Sequence, residues 1–103
     1  MFYNCDSLTT ANLNFDTSKV TQMDYMFYNC ANLNYLNISR FNLENILNSS
    51  HMFQNCTNLK EITFNDNTKT KNLEDMSHMF DSCSSLENIN TTIFRENKLL
   101  NLN

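Results

Sequence analysis

The stretch Met26-Phe27-Tyr28-Asn29-Cys30-Ala31-Asn32-Leu33-Asn34-Tyr35-Leu36-Asn37-Ile38 decides how this chain is read. Its opening phrase recurs as Met1-Phe2-Tyr3-Asn4-Cys5, Met52-Phe53-Gln54-Asn55-Cys56 and Met79-Phe80-Asp81-Ser82-Cys83, and each Cys is followed three residues later by Leu8, Leu33, Leu59 or Leu86. The intervals from Cys5 to Cys30, Cys56 and Cys83 are 25, 26 and 27 residues in turn. Self-similarity at a period of about 20–50 residues marks a stacked-repeat architecture, in which no single unit can bury its own apolar side.

Working outward from Cys30, Leu33-x-x-Leu36-x-Ile38 ends in the strict alternation of a half-buried strand, and Leu8-x-x-Ala11-x-Leu13 and Leu59-x-x-Ile62-x-Phe64 repeat it. Upstream of the Cys the period changes. Val20, Met23, Met26, Phe27 and Cys30 are spaced as Leu73, Met76, Met79, Phe80 and Cys83 are, which predicts a short helical turn before each Cys. Asn4, Asn29, Asn55 and Ser82 then carry the turn into the strand. The chain has no Gly and no Pro, so its 20 Asn residues take over the turning, because Asn tolerates the left-handed conformation better than other side chains. A/T-rich coding would also raise the Asn content.

The fold class expected is therefore α/β: a leucine-rich-repeat-like right-handed solenoid of about 3.5–4 coils, with a parallel strand ladder and short helical turns. The repeat units are 1–25, 26–51, 52–78 and 79–103 of a single domain. Met1 is itself the repeat methionine, so the chain is expected to be part of a longer array. Uncapped coils at either end predict end-to-end self-association.

The phrase Met-Phe-x-x-Cys-x-x-Leu-x-x-Leu-x-Leu, with Asp16-Thr17-Ser18-Lys19-Val20-Thr21-x-Met23 running into Met26-Phe27, resembles the BspA-like leucine-rich repeats. Members usually carry Gly before the Cys, where this chain has Asn or Ser. The resemblance implies a solenoid of a bacterial or protist surface protein, used for attachment or protein recognition, at the cell surface or secreted as part of a longer protein. It brings no catalytic motif with it.

Composition narrows the function classes. The formal net charge is -4 and the seven Lys and Arg are scattered, so no basic stripe exists for nucleic acid. No apolar run approaches a membrane span. No Ser-His-Asp order, phosphate loop or spaced carboxylate pair is present, so the chain is not expected to be an enzyme and no cofactor is expected. Cys5, Cys30, Cys56 and Cys83 lie one per repeat, in a line where a zinc site would need convergence. Stacked side chains at a rung spacing of about 4.8 Å also sit too far apart for an undistorted disulfide. A reduced core ladder is favoured over a disulfide and over a metal site. His51 and His78 share one repeat position, filled by Tyr25 in the repeat before. A surface amphipathic ladder is favoured there over a metal or pH-sensitive pair.

What remains for recognition is the outward side of the strand ladder: Asn12, Asn14, Tyr35, Asn37, Ser39, Glu61, Thr63, Asn65, Asn90 and Thr92. These polar, regularly spaced groups could hydrogen-bond a protein or carbohydrate ligand; on composition alone, plain solvation with amide ladders along the stack is favoured over that reading. The runner-up reading is an intracellular scaffold or effector, or an array fragment without independent function.

Overall fold

The computed structural model describes residues 2–87 apart from 15, 66 and 68. Three short strands, β1 (Thr10–Asn12), β2 (Tyr35–Asn37) and β3 (Glu61–Thr63), form one parallel sheet in the order β1-β2-β3. The register is the repeat register: Ala11 opposes Leu36, and Leu36 opposes Ile62. All three point inward and are buried, while their neighbours in the strands face out. Alternation in sequence has become one apolar and one polar side, as the pleat requires.

A second ladder runs along the Met-Phe corner. Phe27 N donates to Met52 O at 2.9 Å and Asn29 N to Gln54 O at 2.8 Å. One repeat later, Phe53 N donates to Met79 O and Asn55 N to Asp81 O, both at 2.9 Å. Isolated parallel bridges join Gln22 to Asn48 and Asn48 to Asp75 on the same side. Successive repeats are thus hydrogen-bonded in register on two sides of the core.

Among the described residues there is no α-helix. The segment expected to be helical is a run of turns closed by bonds three residues apart: Met26 N to Met23 O, Tyr28 N to Tyr25 O and Cys30 N to Phe27 O. Spacing of three residues serves consecutive turns as well as it serves a helical face. The helix is interrupted by two left-handed residues per corner, at Tyr25 (φ 60) and Asn29 (φ 61). Asn4, Asn55 and Ser82 repeat the second of these at φ 59, 64 and 61. The residue before each Cys therefore makes the turn, in the conformation that Asn enters most easily after Gly. Replacing Asn55 by Val is expected to cost about 1–2 kcal/mol, and by Gly under about 1 kcal/mol, in urea denaturation.

The remaining Asn residues hold other turns. Asn37 Oδ1 accepts from Ser39 N, Asn42 Oδ1 from Glu44 N, and Asn48 Oδ1 from Ser50 N, each at 2.9 Å. Others tie adjacent repeats: Asn45 Nδ2 donates to Ser18 O at 2.7 Å and Asn72 Nδ2 to Glu44 O at 2.8 Å. High Asn content has a structural use at nearly every turn.

The core is built in columns. Phe2, Phe27, Phe53 and Phe80 stack face to face, with ring centroids 5.4, 5.6 and 5.5 Å apart. Leu33, Leu59, Cys30 and Cys56 lie fully buried beside them. Thr17 is buried as well; its hydroxyl donates to Asn42 O at 3.1 Å and accepts from Asn42 N at 2.8 Å, so a polar side chain is satisfied inside the stack.

Candidate functional site

The outward face of the sheet is set by the pairing. Thr10, Tyr35 and Glu61 form one row across the three strands, and Asn12, Asn37 and Thr63 form the next. Tyr35 is 48% exposed, Glu61, Thr63 and Asn12 are exposed, and Asn37 is half-buried by its turn to Ser39. Thr10 belongs to this face although its sequence singled out only Tyr35 and Glu61. Its register through the pairing is what reveals it. Asn90 and Thr92 lie outside the described residues.

Past the strands, Asn14, Ser39 and Asn65 line an open groove of about 540 Å³. Asp16, Arg40, Phe41, Asn42, Leu43, Glu44, Asn67 and Lys69 complete it. Asp16 accepts from Ser18 N at 2.9 Å, and that bond holds its carboxyl below the usual range. Asn65 Oδ1 accepts from Asn67 N at 2.9 Å. The strand rows and the groove are continuous through Asn12 and Asn14, Asn37 and Ser39, and Thr63 and Asn65. The charged members were missed in the sequence because they fall where repeats gain or lose a residue, and spacing carries no information there.

The cysteines form a column with a defined partner. All four are free thiols, with Cys30 and Cys56 buried and Cys5 and Cys83 half-buried. Three of the thiols donate to the Phe carbonyl of the preceding repeat: Cys30 to Phe2 at 2.9 Å, Cys56 to Phe27 at 3.1 Å and Cys83 to Phe53 at 3.0 Å. Burial pushes the Cys56 thiol up to about 12 and the Cys83 thiol to about 11, and raises Cys30 as well. A thiol kept protonated is a poor nucleophile and a poor metal ligand.

At the corner, Tyr25, His51 and His78 stack on the surface with centroids 4.6 and 5.0 Å apart and ring planes 8° and 16° from parallel. All three have left-handed backbone, at φ 60, 57 and 56. Each ring meets the side chain three residues on. Tyr25 packs edge-on against Tyr28 at 5.2 Å, His51 Nδ1 bonds Gln54 Oε1, and His78 Nδ1 lies 3.4 Å from Asp81 Oδ2. The one-residue-per-repeat position was legible; the partners three residues away were not. Among the described residues, no three His, Cys, Asp or Glu side chains converge as a metal cluster would. Nor, among them, is any helix long and apolar enough to cross a membrane.

A family model described as "Mycoplasma protein of unknown function, DUF285" matches residues 1–96. Neither the curated proteins nor the solved structures contain a match.

Proposed function

The chain belongs to the DUF285 family, and on that premise we propose that it is a non-catalytic recognition module: a BspA-like solenoid that binds an extended polar ligand along its sheet face. The observation that carries this reading is the continuity of the outward strand rows with the open groove beside them. Core, turns and inter-repeat bonds account for the residues at the fixed repeat positions. Tyr35, Glu61 and Thr63 give their backbones to the paired strands, but their side chains are exposed on the outward face.

The face has the chemistry of a hydrogen-bonding surface. Amides of Asn12 and Asn37 and the hydroxyls of Thr10 and Thr63 repeat at rung spacing, about 4.8 Å, and Tyr35 adds an aromatic body with a polar tip. A protein segment or a glycan running along the stack would meet equivalent groups on each rung. Attachment at a cell surface, within a longer array, is the setting that suits such a face. Among the described residues the outer edge of β1 is unpaired, and it offers backbone to a further repeat or to a second copy, which is the route to end-to-end association.

Screening the protein against glycan arrays and surface-protein fragments tests the proposal. Asn37→Asp and Thr63→Asp are each expected to weaken any ligand found by about tenfold, since the new carboxylate adds a desolvation cost and removes a donor. Tm should stay within a few degrees of wild type for Thr63→Asp, whose side chain is exposed. A ligand whose affinity ignores both changes binds elsewhere and overturns the assignment of the face.

A further inference from the structure

We propose that His51 and His78 form a surface site for a divalent transition cation, bound through their two Nε2 atoms and oriented by Gln54 and Asp81. The rings are held one above the other, 5.0 Å apart and 16° from parallel, and each turns its Nδ1 toward the side chain three residues on. The backbone enforces this. Both residues have nearly the same left-handed φ, and His51 N donates to Ser77 O at 3.0 Å, locking one rung to the next.

The tautomer is set as a metal ligand requires. His51 Nδ1 faces the amide oxygen of Gln54, and His78 Nδ1 faces a carboxylate oxygen of Asp81 at 3.4 Å, so each Nδ1 is the protonated nitrogen. Gln54 is itself turned by Asp81, whose Oδ2 accepts from Gln54 Nε2 at 3.5 Å. Each Nε2 then carries a free lone pair, and among the described residues neither has a hydrogen-bond partner. Ligating histidines characteristically donate their second ring N–H to a carboxylate or carbonyl, which fixes the ring and raises its basicity. His51 has that support from Gln54 Oε1, and the Asp81 carboxylate stands 3.4 Å from His78 Nδ1 to supply it there.

Geometry and ligand type select the cation. Metal–nitrogen bonds of about 2.0–2.1 Å require the two Nε2 atoms to lie within about 4 Å of each other. A small tilt of rings now 5.0 Å apart achieves this; the His78 side chain is 50% exposed and free to make it, while His51 is half-buried between Tyr25 and His78. Imidazole suits Zn²⁺, Ni²⁺ and Cu²⁺, whereas Mg²⁺ and Ca²⁺ take oxygen. Two protein ligands leave positions open to water or to a donor from a bound partner. Tyr25, stacked at 4.6 Å on His51, marks where a third imidazole would stand.

Titration of the tag-free chain with Zn²⁺, followed by calorimetry and by the imidazole proton resonances, tests the site. One equivalent should bind and shift both histidine signals. His51→Asn and His78→Asn keep a side chain suited to left-handed backbone, and each should weaken binding at least about tenfold. Asp81→Asn should weaken it about tenfold through the ring it orients, and Tyr25→His should strengthen it. Absence of binding at millimolar Zn²⁺, or binding unchanged in the His51→Asn/His78→Asn double variant, overturns the proposal.

Discussion

Phe53→Ala is expected to destabilise the protein by about 3–5 kcal/mol, enough to leave a chain of this size marginally folded or unfolded. The ring is fully buried and stacked on both faces, against Phe27 at 5.6 Å and Phe80 at 5.5 Å. Its loss removes transfer free energy, opens a cavity between rungs, and deletes two aromatic contacts worth about 0.5–1.5 kcal/mol each beyond their area. Phe2→Ala removes the same side chain from a half-buried position in the column, where it stacks on Phe27 at 5.4 Å. Its cost should be less than half as large. Urea denaturation of the two variants measures the difference; equal losses would mean that the stacked column is not the stabilising element.

The second large effect is on thiol chemistry. Raising the Cys56 thiol from an ordinary 9.0 to about 12 lowers its thiolate fraction near neutral pH by about a thousandfold, before steric burial slows reagents further. A disulfide reagent at pH 8 should leave Cys56 untouched on a timescale that consumes a free cysteine completely, and denaturation should release four reactive thiols. The same shifts fix the alkaline behaviour. Below pH 9 the thiols are protonated in both folded and unfolded chains and contribute no pH dependence. As pH rises from 9 toward 11 and 12, the unfolded chain ionises Cys83 and Cys56 while the folded one does not, so stability falls. A denaturation midpoint that held constant from pH 8 to 10.5 would contradict the buried thiols.

Much of the interior was legible because repetition averages over local ambiguity. Phe27, Phe53, Cys30, Cys56, Leu33 and Leu59 were named as core by recurrence, and all are fully buried. Inward Leu36 and outward Tyr35 followed from alternation, and the turn before each Cys followed from Asn29 and Asn55. The corner was misread as helical because Met23, Met26 and Cys30 recur at the interval shared by helices and consecutive turns. Tyr25 gives no hint of its φ of 60, since a bulky ring is an unusual choice for left-handed backbone. Ser49 also hid: it occupies the core position held by Met23 and Met76 in adjacent repeats, buried with its hydroxyl 3.5 Å from Met79 Sδ.

The site was legible in proportion to its periodicity. Asn12, Asn37 and Thr63 sit at one strand position in three repeats and form one row. Arg40 and Lys69 lie in segments of unequal length, where only the folded chain brings them to the same groove. His51 and His78 were correctly aligned, but Gln54 and Asp81 differ from each other and from Tyr28, so no repeated residue type announced that each ring has a partner.

Everything above depends on successive repeats being hydrogen-bonded in register along the Met-Phe corner as well as in the sheet. Amide hydrogen exchange, resolved by residue, measures that directly. Slow exchange is expected for Phe27, Asn29, Phe53 and Asn55, comparable to Leu13 and Ile38 beside the strands, with Gln22 and Asp24 faster. Fast exchange at those four corner amides while the strand amides stay protected would contradict the in-register stack.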